Sequence, residues 1–392
     1  MIQAAERLSL IKEYYFSTKL KELRDRIAEG QDIINLGIGN PDLTPSNETL
    51  ETLTNEIIKE NSHGYQPYNG IPELRDAFSI WYKNIYNVDI NSENEILPLI
   101  GSKEGIMHIS MAFLNSGDEV LIPNPSYPTY RSVTNIVGAK VIEYNLTESN
   151  NWEPDFKELE TMDLRNVKIM WVNYPNMPTG ASGSIELLKA LVVFGKKHNI
   201  LICNDNPYSL ILHKKPMSIM EIEGAKDISI ELNSLSKSHN MAGWRLGMLT
   251  SNPTFIKNII TIKSNMDSGI FKPIQLAAVK ALSCTDSWYN TINKEYKMRK
   301  EIVLQILNLL ECTYDKQQGG MFVWAKIPLL NTNAYEYSDY ILNETKVFIT
   351  PGSIFGSNGD QYIRISLCNS QKILSIVKKR IEQLINKNNG IN

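Results

Sequence analysis

Ile96-Leu97-Pro98-Leu99-Ile100-Gly101-Ser102-Lys103-Glu104-Gly105 is an apolar run that stops at a glycine and passes straight into the helical stretch Lys103–Leu114. Further apolar runs of strand length follow at Val120–Ile122, Val141–Tyr144, Val167–Val172, Ile200–Cys203, Ile228–Leu232 and Leu246–Leu249. Helical stretches such as Ser184–His198 separate several of them. This alternation predicts an α/β domain with a mostly parallel sheet and helices on both faces. Ligands of such sheets bind outside the carboxyl ends of the strands, so the turns after these runs are where chemistry is expected.

Toward the N-terminus, Leu8, Ile11, Tyr15, Leu20, Leu23 and Ile27 recur at helical spacing, predicting a helix over residues 8–29 with Gly30 as its C-cap. Toward the C-terminus, a long charged helix near Trp288–Leu310 leads into the runs Met321–Lys326, Lys346–Thr350 and Tyr362–Leu367, then a helix near Gln371–Asn386. These read as a smaller α+β domain, against which the N-terminal helix packs. The expected division is residues 1–35 with the small domain, 36–285 as the large domain and 286–392 as the small C-terminal domain.

At 392 residues, the chain is long enough for two or three domains at about 150 residues each. With 42% hydrophobic and 21% charged residues it is ordinary globular material, which excludes a disordered or fibrous protein. The net charge of −3 argues against a nucleic-acid-binding protein, which needs a clustered basic excess. Cys203, Cys284, Cys312 and Cys368 form no CxxC pair, and the five histidines show no HxxH or HxxxH spacing, so no metal site is expected. Glu6 and Arg7 interrupt any secretory apolar segment, and no run approaches the ~20 apolar residues of a membrane span. A cytoplasmic protein that meets neither membrane nor nucleic acid is expected.

Five loops carry residues able to do chemistry. Ser234-Leu235-Ser236-Lys237 follows a strand and precedes Trp244-Arg245-Leu246-Gly247. A lysine reacts as a nucleophile only when neutral, which a sheltered, cation-rich setting favours. Hydroxyls and a guanidinium beside it can hold a phosphate dianion. Gly101-Ser102-Lys103 opens a helix, whose first backbone amides attract phosphate. Asn204-Asp205-Asn206-Pro207-Tyr208 offers a carboxylate suited to a pyridinium nitrogen. Asn173-Tyr174-Pro175-Asn176-Met177-Pro178-Thr179-Gly180 and Pro123-Asn124-Pro125-Ser126-Tyr127-Pro128 are proline-rich loops, the second with an aromatic face. Each alone leans toward an ordinary structural turn, because Asp, Asn, Pro and Gly favour turns for local reasons.

Their order and spacing resemble the fold-type I, pyridoxal-phosphate-dependent aminotransferases of class I and II, the aspartate aminotransferase family. The resemblance runs from Leu36-Gly37-Ile38-Gly39-Asn40-Pro41-Asp42 to Arg364. Gly101–Ile106, Asn173–Ala181 and Lys263–Phe271 bring it nearest the LL-diaminopimelate aminotransferase-like branch. The resemblance implies a transaminase that uses pyridoxal 5′-phosphate in a ping-pong reaction, works as a homodimer, and takes an amino acid and a 2-oxo acid in turn. Glutamate and 2-oxoglutarate are the implied shared pair. Lys237 then matches the Schiff-base lysine, Asp205 the partner of the ring nitrogen, Tyr208 the donor to the ring oxygen O3′ and Tyr127 the stacking aromatic. Ser102, Lys103, Ser234, Ser236 and Arg245 match the phosphate cup, joined by Tyr65 from the other subunit. Arg364 matches the fork for the substrate α-carboxylate; Gly39 matches a backbone approach to substrate and Tyr14 a residue covering it.

One position departs from the family. Where it usually reads Asn-Pro-Thr-Gly, this chain has Met177-Pro178-Thr179-Gly180, and methionine cannot donate a hydrogen bond. The same fold also carries two rival functions, a β-C–S lyase or related eliminase and a non-catalytic cofactor-binding regulator. A nicotinamide dehydrogenase would need a GxGxxG turn after a strand, which is missing.

Overall fold

The inner strands of the central sheet are buried on both faces, as strands covered by helices on either side should be. In the Leu201–Asp205 and Ser229–Ser234 strands every residue is buried, and in Val167–Val172 all but Lys168. The computed structural model describes residues 2–11, 13, 15–213, 215–328, 332–388 and 390. Seven strands form the large sheet, in the spatial order Ile96–Leu99, Gly247–Thr250, Ser229–Ser234, Leu201–Asp205, Val167–Val172, Glu119–Asn124, Lys140–Asn145. Gly247–Thr250 runs opposite to the other six, which share one direction. One apolar layer holds Leu74, Phe78, Leu191 and Met248; the layer on the other face holds Ile106, Ile109, Ile256 and Ile259.

The helices between the strands have identifiable ends. Ile185–His198 begins at Ser184, whose hydroxyl accepts from Leu187 N at 3.0 Å, and stops at Asn199 in the left-handed conformation. Lys196, Lys197 and His198 lie in its last turn, where positive charge suits the helix dipole.

The smaller unit is an antiparallel sheet of Thr350–Pro351, Tyr362–Ser366 and Phe322–Lys326. Its core, which includes Val303, Ile306, Ile341, Ile365 and Ile381, is shared with the helices Asp286–Leu309, Ala334–Thr345 and Gln371–Asn388. The start of the chain joins it. Leu23 packs with Leu342 and Phe348, Lys19 Nζ reaches Asp339 at 2.9 Å, and Ile34–Asn35 pairs in parallel with Val347–Phe348. The fold is therefore α/β, with a mostly parallel sheet and a smaller α+β part made by both chain ends.

Two expectations need correction. Residues 8–29 are not one helix: a short 3₁₀ turn spans Glu6–Leu10, Ile11 is extended, and the α-helix covers Tyr15–Ala28. Leu8 and Ile27 lie exposed, so the apolar positions at the two ends gain no shared burial, and the buried stripe is Phe16, Lys19 and Leu23. Lys346–Thr350 is not one strand either. Val347–Phe348 pairs with the N-terminal segment and Thr350–Pro351 with Tyr362–Ser366, so the run changes sheets at Ile349. Among the described residues, no helix is long and apolar enough to cross a membrane.

Candidate active site

Lys237 owes its position to a strand end. Ser234 closes the Ser229–Ser234 strand and caps the one-turn helix Leu235–Ser238, its hydroxyl accepting from Ser236 N at 3.2 Å and meeting Ser236 Oγ at 2.9 Å. The turn sends the Lys237 side chain into a cavity, where Nζ donates to the Gly39 carbonyl at 2.6 Å. Burial lowers the lysine's pKa, and the nearby Arg364 and Arg245 push the same way, against opposing effects of Cys368 and Asp205. Each lowering influence raises the share of nucleophilic free amine.

Asp205 ends the adjacent strand, Leu201–Asp205, and is buried. Its Oδ2 accepts from Tyr130 OH at 2.9 Å, while Oδ1, sealed from solvent, meets no donor among the described residues. Burial lifts the carboxyl from 3.8 to about 6, against the opposing pull of Tyr130 and Lys237. A buried carboxylate oxygen without a donor is costly, and an N–H or a cation placed at Oδ1 removes that cost.

Several groups hold Asp205 in place. Tyr130 lies flat on Trp171, ring centres 5.0 Å apart, and Tyr127 stands edge-on to Tyr130 at 5.6 Å. Asn173 Nδ2 donates to the Asp205 carbonyl, and Asn173 Oδ1 accepts from Met177 N at 2.7 Å. Tyr208 lines the same cavity with its phenol kept protonated by burial.

The anion end is built around a missing side chain. Gly101 precedes the Ser102–Phe113 helix at φ +80°, and a Cβ there would lie 2.1 Å from Arg245 Nη2. The guanidinium therefore takes the space of a side chain, beside the start of a helix. Arg245 is itself in the left-handed region at φ 57°, with Nη1 donating to Ala242 O at 2.9 Å.

The opposite end is made by Arg364, in the middle of the Tyr362–Ser366 strand and buried. Its Nη2 donates to Gly37 O at 2.8 Å and its Nη1 to Met177 Sδ at 3.2 Å. The guanidinium carbon stands 3.8 Å from the Phe322 ring centre, 4.7 Å from Phe355 and 5.8 Å from Phe16.

One cavity of about 650 Å³ is lined by Gly39, Ser102, Lys103, Tyr127, Asp205, Tyr208, Ser234, Ser236, Lys237, Arg245 and Arg364. Tyr65 is not among its walls and is 92% exposed. Tyr14 lies outside the described residues. Asn176 closes its own turn, accepting from Thr179 Oγ1 at 2.7 Å, whereas Met177 faces the cavity. The sequence reading missed Tyr130, Phe16, Phe322 and Phe355, and it gave Asn173 no role. Tyr130 could have been found, since it falls one helical turn after Tyr127.

These groups fit pyridoxal 5′-phosphate. The uncompensated Oδ1 of Asp205 suits a protonated ring nitrogen, the Gly101–Arg245 cradle suits a phosphate, and the lysine amine of Lys237 suits an aldehyde carbon between them.

Residues 31–379 match the family described as aminotransferase class I and II. The LL-diaminopimelate aminotransferase of Dehalococcoides mccartyi is 37% identical over 93% of this chain and 95% of its own. That of Aquifex aeolicus is 36% identical over 98% and 100%. A substrate-bound structure of BacF from Bacillus subtilis superposes with a TM-score of 0.94 at 34% identity, covering 98% of each chain.

Proposed function

The chain belongs to the class I and II aminotransferases, pyridoxal-5′-phosphate-dependent enzymes that move an amino group between an amino acid and a 2-oxo acid, and from this we propose how its residues divide the work. Bound in the cavity, the cofactor supplies an electron-poor ring that takes up the electron pair left when the substrate Cα–H bond breaks. Lys237 would hold the cofactor carbon through its amine and, once free of it, would serve as the base that holds or moves the proton at the substrate Cα. Asp205 Oδ1 would accept from the ring N–H and keep that nitrogen protonated. Tyr208 would donate to the ring oxygen, and Tyr127 would cover the ring.

Ser234, Ser236, Arg245 and the backbone amides of Ser102 and Lys103 hold the phosphate. Arg364 takes the substrate carboxylate through its planar fork, a geometry that lysine cannot offer. Gly39 keeps the backbone open beside the lysine; a Cβ there would lie 2.1 Å from the Phe322 ring. Tyr65 completes the phosphate site of a second copy, a reading supported by its exposure together with Tyr68, Met266 and Phe271. The same reading makes the enzyme a cytoplasmic homodimer with a cofactor domain over residues 36–285 and a smaller domain from 1–35 and 286–392.

The observation that carries these assignments is the Lys237–Asp205 pair, a pKa-depressed buried amine and a buried carboxylate lacking one donor, on neighbouring strand ends of one cavity. Kinship with aminotransferases does not favour a C–S lyase or an inactive regulator. Mass analysis of products from a panel of amino donors against several 2-oxo acids tests the reading. Paired exchange of amine is expected; pyruvate and ammonia without any acceptor would show an eliminase.

A further inference from the structure

Arg364 fixes one end of every amino acid that enters this cavity, so the wall around it selects the side chain. The wall nearest it is apolar: Phe16, Phe322 and Phe355 ring the guanidinium and Met177 touches it, while Leu20 and Ile38 also line the cavity. Met177 stands where the family's usual asparagine would bring an amide. Its thioether accepts weakly from Arg364 and otherwise extends the apolar surface.

The charged groups of the cavity are engaged elsewhere. Arg245 fills the space beside Gly101, Lys103 lies on the helix that starts there and feels the charge of Arg245, Lys237 points to Gly39, and Asp205 is held by Tyr130. Ser17, on the same helix as Phe16 and Leu20, donates to Glu13 at 3.0 Å. Among the described residues, the wall around Arg364 therefore adds neither a second cation for an acidic side chain nor a carboxylate for an ammonium.

We propose that the site selects amino donors with apolar side chains, aromatic ones included, and discriminates against acidic and diamino-dicarboxylic ones. The proposal rests on the transaminase reading. A distal carboxylate or ammonium pressed against these rings loses water without gaining a partner, whereas each buried CH₂ of an apolar side chain is favourable. LL-diaminopimelate, the substrate in the names of the relatives above, ends in both an ammonium and a carboxylate. It is thus the most demanding test of the wall.

The test takes cofactor-loaded enzyme and offers phenylalanine, leucine, methionine, glutamate, aspartate or LL-diaminopimelate as sole donor, reading the 2-oxo acid by mass in a single half-reaction. The apolar donors are expected to exceed the charged ones by about tenfold or more in kcat/KM. Calorimetry with 3-phenylpropanoate and glutarate, which bind but carry no amine, gives a second readout; the phenyl compound should bind more tightly. Faster reaction of glutamate, aspartate or LL-diaminopimelate overturns the proposal and leaves the transaminase reading standing. If no donor yields a 2-oxo acid but 3-phenylpropanoate still binds in preference to glutarate, the transaminase reading falls and the account of the wall holds. Equal or reversed affinities overturn that account.

Discussion

At the phosphate end of the cavity, Asp205, Ser234 and Lys237 come from the ends of two adjacent parallel strands, and Arg245 just precedes the antiparallel strand beside them. At the carboxylate end, Phe16, Gly39, Phe322 and Arg364 come from the first helix, a loop and two strands of the other sheet. One end is a single edge of the large sheet. The other is assembled where two units of the fold meet. On the proposed assignments, the chemistry rests on one sheet edge, while the choice of substrate rests on contacts between the two units of the fold.

The sharpest way to break this division is to remove the amine. Lys237→Ala should lower transamination by about 10³-fold or more. Borohydride should fix the cofactor's mass onto the Lys237 peptide of the native protein; no mass gain there would overturn the assignment.

A smaller effect comes from Asp205. Without cofactor its carboxyl is raised from 3.8 to about 6, so the folded state holds a proton that the unfolded chain has released within that window. The resulting penalty is absent below the lower value and complete above the upper. A cofactor that donates to Oδ1 relieves it, so the stabilisation on loading should grow as pH rises through this window, by about 3 kcal/mol, and Tm should rise with it. Asp205→Asn should flatten the dependence; identical pH profiles would separate Asp205 from the ring.

At the other end, Arg364→Lys keeps the charge and loses the fork. KM for amino acids should rise by about tenfold or more, with much less change in cofactor retention. An equal loss of cofactor would show that the two ends are not separable. Tyr65→Phe should weaken cofactor retention by about 1 kcal/mol, measured by dialysis against free cofactor. A fully active monomer in the ultracentrifuge would refute the shared site.

The smallest effect lies on the border between the ends. Met177→Asn adds a donor near an ionised ring oxygen, and should lower the pKa of the bound chromophore by about one unit or less. It should also lower KM for amino acids. Overlaid titration curves and equal Michaelis constants would make Met177 a neutral replacement.

The same contrast explains what could be read in the sequence. Each motif at the phosphate end is a strand followed by a turn, and local rules place strands and turns well: Val167–Val172 was expected residue for residue. The aromatic box was not legible, because nothing in residues 16, 322 and 355 locally says that they meet around one guanidinium. Periodicity also misplaced the start of the first helix. It counted Leu8 as part of an apolar face, and that face finds no partner there. Lys346–Thr350 misled for a related reason, since a short apolar run does not reveal that two sheets share it.

The parallel pairing of Ile34–Asn35 with Val347–Phe348 also sets a timetable. During synthesis the first segment must wait for more than 300 further residues, roughly tens of seconds at ordinary elongation rates. By then the strands bearing Asp205 and Lys237 have already left the ribosome, while Arg364 is still to come. The residues assigned to the cofactor within one chain are thus all synthesised before the arginine assigned to the substrate carboxylate.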